Sequence, residues 1–126
     1  MSIVHIVLFK LKSSLSDAEK KEFCDDMLSL KGTCMHPASN KPYIVSSSGG
    51  VDNSPEGAQV GLFLSSMGPH HNHMQGGFTH GFVVEFASKE DRDYYVSQDP
   101  AHQAFVKKNS LRFEDARVLD YEKGVY

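Results

Sequence analysis

The sequence has no tryptophan, 2 cysteines and 5 prolines among 126 residues, and it has no apolar run of the length that crosses a bilayer. Each shortage closes off a class of protein. Cys24 and Cys34 allow at most one bridge, and Cys24 falls in a helical pattern among charged neighbours, so both are read as reduced thiols. With no CxxC spacing and no basic cluster around either, a redox or nucleophilic cysteine has no support. Basic residues are also short: 13 Lys and Arg against 16 Asp and Glu give a net charge of -3, with no basic stripe to attract nucleic acid. The apolar start at residues 3–11 lacks a basic leader and a small-residue cleavage site, which predicts a cytoplasmic protein with no membrane partner. No phosphate-binding pattern follows Gly49-Gly50, which read as a turn, and no HxxxH pairs the histidines on a helix. The expectation is therefore no cofactor and no metal.

What is present is enough for a core. The 14.0 kDa chain is 40% hydrophobic, and its length fits one domain over residues 1–126. Residues 2–12 alternate strictly, with Ile3, His5, Val7, Phe9 and Leu11 on one side and Val4, Ile6 and Leu8 on the other. This predicts a strand with two apolar faces. Ser16-Asp17-Ala18-Glu19 has the form of a capping box, and the stripe of Phe23, Met27 and Leu30 predicts a helix to about residue 30, stopped by Gly32. Residues 41–48 read as a second strand running into a loop over 46–57, and residues 79–86 as a third with His80, Phe82, Val84 and Phe86 on one face. Ser88 and Asp91 cap a further helix carrying Tyr94 and Tyr95. Asp99 then restarts it with Pro100 in the first turn, and residues 116–121 supply a last strand.

Strand, helix, strand, strand, helix pair, strand predicts an α+β fold, a ferredoxin-like four-stranded antiparallel sheet with helices on one face. Helices cover only that face. The apolar residues on the other need a second copy, so a face-to-face homodimer is expected.

Several segments carry a resemblance. Val4-His5-Ile6-Val7-Leu8-Phe9-Lys10, Phe78-Thr79-His80 leading Val83-Val84-Glu85-Phe86, Asp93-Tyr94-Tyr95, Asp99-Pro100-Ala101-His102 with Phe105, and Val118-Leu119-Asp120-Tyr121 stand in an order that resembles the stress-responsive A/B barrel (Dabb) proteins. The resemblance spans nearly the whole chain and implies a dimeric α/β barrel with a small pocket between the sheet and helices of each subunit. Its plant member olivetolic acid cyclase, a cofactor-free polyketide cyclase, implies an acid-base pair of His102 and Tyr95 and a pocket lined by His5 and His80. Two departures stand out. A pocket tyrosine of the cyclase falls on Met27, and the interval to His102 is one residue longer, so Tyr94 is as eligible as Tyr95. Residues 60–75, with His70, His71 and His73, interrupt a connection that is short in the family and read as a surface loop insertion rather than a metal site.

The chemistry fits these residue types. An aldol closure needs a base for a carbon-bound proton and a donor for the oxyanion, tasks that His and Tyr perform in a dry site without a metal. A small aromatic or polyketide-like ligand is the implied substrate. Each of these residues also has a plain structural reading, as a satisfied core histidine or a core aromatic with a wet hydroxyl. On that reading the chain is a non-catalytic dimeric stress-response or small-molecule-binding protein.

Overall fold

A computed structural model describes residues 1–55 and 77–126. The insertion expected at 60–75 lies outside the described residues. Strand β1 (Ile3–Leu11) turns Ile3, His5, Val7, Phe9 and Leu11 toward the helices, all of them buried. Helix α1 (Asp17–Thr33) starts on the capping box: the Ser16 hydroxyl accepts from the Glu19 backbone N–H at 3.1 Å, and the Glu19 carboxylate accepts from the Ser16 N–H at 3.0 Å. Its buried stripe is Phe23, Met27 and Leu30. Gly32 does not end the helix. Open space surrounds it, and the chain leaves the helix at Cys34, which is extended yet still donates its N–H to the Leu30 carbonyl.

Strand β2 (Ile44–Val51) begins and ends later than the sequence pattern implied. Gly49 and Gly50 are not a turn. They pair with Phe82 and Gly81 of β3 (His80–Phe86), because the strand there needs closeness to a ring, not a reversal. A Cβ on Gly49 would stand 2.1 Å from Cδ1 of Phe82. Helix α2 (Lys89–Ser97) is capped by Ser88, which accepts from the Asp91 N–H. Helix α3 (Pro100–Asn109) is capped by Asp99, which accepts from the Ala101 N–H at 2.8 Å. Strand β4 (Phe113–Glu122) is longer than 116–121, since its pairing with β1 continues through a bulge at Lys10 and Leu11.

The sheet is antiparallel in the order β2-β3-β1-β4, with the described helices against one face, which is the ferredoxin-like arrangement. Phe9, Phe23, Phe82, Phe105 and Phe113 fill the core between sheet and α1. Helix α1 leans toward β2, and α2 packs on β1 and β3. The inner face of β4 is thereby left partly open: Val118, register partner of Val7, is 58% exposed. On the opposite sheet face Leu8, Val83, Leu119 and Tyr121 are exposed, whereas Val4, flanked in register by Glu85 and Tyr121, is buried.

Candidate active site

The junction of α2 and α3 brings two polar side chains under cover. Tyr95, on the sheet side of α2, is 1% exposed, and its ring lies 4.2 Å from that of His102, 5.0 Å from Phe86 and 5.8 Å from His5. His102 stands in the first turn of α3, where Asp99 and Pro100 fix the start of the helix. The Tyr95 hydroxyl and Nδ1 of His102 are both buried, and among the described residues neither has a hydrogen-bond partner. An orphaned buried polar atom costs about 1–3 kcal/mol, so two side by side ask for a ligand to complete them.

Their protonation states follow from the surroundings. Burial lowers the pKa of His102, as does nearby His5, while Asp99 pulls the other way. Burial raises that of Tyr95, with Cys34 and Asp99 adding to it. At neutral pH the pair is a neutral imidazole and an un-ionised phenol, a proton acceptor beside a hydrogen-bond donor.

His5 approaches Tyr95 from β1. Its Nδ1 is 2.7 Å from Oδ1 of Asp120 on β4, whose other oxygen accepts from Nη1 of Arg92 on α2 at 2.7 Å. Arg92 in turn donates through Nε to Asp93. Between α2 and β4 an open groove of about 520 Å³ is lined by His5, Arg92, Val96, Val118 and Asp120, among others.

The other expected residues lie elsewhere. Tyr94 is half-buried and packs on Tyr43 and His36, away from His102, so Tyr95 is the tyrosine that meets the histidines. His80 shares the helix-facing side of the sheet with His5 but does not join it. In register His5 faces Val84 and His80 faces Phe9, so four residues, about 13 Å of strand, separate them. Nδ1 of His80 is 2.8 Å from the Thr79 hydroxyl, and burial and Lys20 lower its pKa. Met27 is part of the apolar core.

Sequence reasoning missed the partners of these groups. Asp120 stands in the sequence only as part of a motif and Asp99 as a cap, and nothing in the pattern singles out Arg92. In the fold Asp99 is buried and accepts from the Tyr43 hydroxyl as well as from Ala101, beside buried Cys34, whose thiol pKa is pushed up to about 12 chiefly by burial. Cys24 and Cys34 are both free. Among the described residues no group of His, Cys, Asp and Glu is placed to hold a metal ion, and no helix is long and apolar enough to cross a membrane.

Residues 3–123 match the stress responsive A/B barrel domain, Dabb. The chain belongs to this family. No curated protein matches this Dabb chain significantly in sequence. Among solved structures it is similar to a protein of Arabidopsis thaliana at 22% identity, covering 98% of this chain and 97% of that one with a TM-score of 0.70. The hydroxynitrile lyase of Passiflora edulis is 21% identical, with coverage of 99% and 96% and a TM-score of 0.69. A dimeric protein of ferredoxin-like fold from Bacteroides fragilis is 22% identical, with coverage of 96% and 95% and a TM-score of 0.60. At these identities the likeness establishes the Dabb chain's fold.

Proposed function

We propose that this Dabb chain is a cofactor-free, cyclase- or lyase-like enzyme that binds a small aromatic or polyketide-like substrate, working as a homodimer in the cytoplasm. The observation that carries the reading is the pair of buried, unpartnered atoms, the Tyr95 hydroxyl and Nδ1 of His102. The neutral imidazole takes a carbon-bound proton, and the phenol donates a hydrogen bond to the oxyanion that forms. His5 contacts the same substrate. His80, at the far end of the sheet, serves only a ligand long enough to pass Phe9 and Phe82. The Passiflora relative supports lyase chemistry on this fold, and two free thiols suit a reducing compartment. Met27 in place of the cyclase's pocket tyrosine favours the second reading, a binding protein without turnover.

The test is ligand-observed NMR with a panel of aromatic polyketides on wild type and His102→Ala. Binding should weaken by about tenfold in the variant, the loss of one buried hydrogen bond. Ligands that bind both equally, or none that binds, would remove the site from consideration, while binding without conversion would leave the non-catalytic protein.

Dimerisation rests on the exposed Leu8, Val83, Leu119 and Tyr121 on the helix-free sheet face and on the dimeric Bacteroides relative. Light scattering should give twice the 14.0 kDa chain mass for wild type, and Val83→Lys with Leu119→Asp should give monomer. A monodisperse wild-type monomer at micromolar concentration refutes it.

A further inference from the structure

The hydrogen bonds around His5 have a direction, and that direction selects a ligand. Asp120 bridges two groups, one oxygen to Nδ1 of His5 and the other to Nη1 of Arg92, both at 2.7 Å. A guanidinium only donates, and a carboxylate held by it only accepts, so the proton between Asp120 and His5 belongs to Nδ1. A neutral ring has a single N–H. In that neutral form Nε2 is a lone pair.

The ring cannot turn to escape this. It is buried, with its edge against Phe86 at 6.2 Å and Tyr95 at 5.8 Å, and a flip would set carbon against the Asp120 oxygen. Among the described residues none donates to Nε2. His5 also lines the groove between α2 and β4, where Val96 and Val118 are 48% and 58% exposed. The charged heads at the groove are occupied with each other, Arg92 with Asp93 and Asp120. Beside these charged groups the groove offers a ligand the apolar surface of Val96 and Val118 and, at Nε2 of His5, an acceptor whose direction is fixed.

We propose that Asp120, itself oriented by Arg92, is a positioning residue that locks His5 as a hydrogen-bond acceptor, so that the site selects molecules carrying a hydroxyl or enol on an apolar body that lies along Val96 and Val118. This deepens the reading above and rests on it for catalysis, but its ligand preference holds for a binding protein equally. A hydroxyl can give its proton to His5. An ether or a ketone can only accept, and leaves the His5 lone pair unmet.

Asp120→Asn inverts the arrangement. Arg92 still needs an acceptor and draws the amide oxygen to itself, which turns the amide NH₂ toward Nδ1 of His5 and moves the ring proton to Nε2. The experiment reads the His5 tautomer from ¹⁵N–¹H correlations of the ring in mildly alkaline buffer, and the affinities of para-cresol and its methyl ether from titrations. Wild type should show an unprotonated Nε2 and bind the cresol about tenfold more tightly than the ether. In Asp120→Asn the proton should sit on Nε2 and the preference should vanish.

Nε2 protonated in wild type overturns the proposal without needing any variant to fold. Equal binding of the two probes, or binding of neither, overturns its ligand half. If His102→Ala leaves ligand binding unchanged while the His5 tautomer is as stated, the failure belongs to the Tyr95 and His102 reading and not to this one.

Discussion

Gly49→Val should lower the unfolding free energy by about 3 kcal/mol, whereas Gly50→Ala, one residue on, should leave it within about 0.5 kcal/mol. The two glycines are adjacent in β2 and identical in sequence terms, but they face opposite ways. Gly49 is on the helix side opposite Phe82, and a Cβ there would meet Cδ1 of that ring at 2.1 Å, its Cγ at 2.6 Å and the Gly81 carbonyl oxygen at 2.6 Å. Phe82 has nowhere to go. It is fully buried, with the rings of Phe9 and Phe23 at 6.0 and 6.4 Å, and close-packed interiors absorb added methyl groups only by strain. A Cβ on Gly50 would meet no atom of the described residues within 4 Å beyond its chain neighbours, and there a side chain also restricts the unfolded chain. Urea unfolding of the two variants checks the difference through the midpoint at constant slope. Equal midpoints would mean that β2 is free to shift away from Phe82.

That pair of glycines marks where sequence reading reaches its limit. The devices that act within a few residues were legible: the Ser16 and Glu19 box, the Ser88 cap, and Asp99 with Pro100 all stand where their spacing put them. Strand alternation was legible too, since it fixes which face each side chain takes. The helix-facing sides of β1 and β3 carry the residues read from it. What alternation cannot supply is register, which depends on strands 70 to 115 residues apart. His5 and His80 were therefore assigned to one face correctly and to one place wrongly: the register sets His5 against Val84 and His80 against Phe9. Gly49-Gly50 looked like a turn because the reason for glycine is a ring on another strand.

The same limit separates the site from its supports. Tyr95 and His102 lie seven residues apart across a helix junction, near enough for a resemblance to link them. The Asp120 that holds His5 arrives through β4, and the Arg92 that holds Asp120 arrives through α2, so no local pattern could join the three. A carboxylate on the helix-facing side of a strand, in register with a histidine, was the available signal. It becomes readable only once β1 and β4 are known to be neighbours.

Asp99→Ala should cost about 2–4 kcal/mol of stability, and Asp99→Asn should cost under about 1 kcal/mol while still lowering the proton affinity of His102. Asp99 is 1% exposed and serves two groups at once: Oδ1 accepts from the Ala101 N–H at the start of α3, and Oδ2 accepts from the Tyr43 hydroxyl. Alanine removes a helix cap and strands a half-buried phenol as well, so the two losses add. Asparagine keeps an oxygen for Ala101 and turns its NH₂ to the Tyr43 oxygen, which preserves both bonds but removes the charge. That charge is the influence raising the pKa of His102 against burial and His5, so its loss moves the His102 titration to lower pH. Following the His102 ring protons by NMR against pH separates the electrostatic part from the structural part, which thermal unfolding of both variants measures. A His102 titration that stays in place or moves upward in Asp99→Asn would mean that the α3 cap holds the imidazole in position without tuning it.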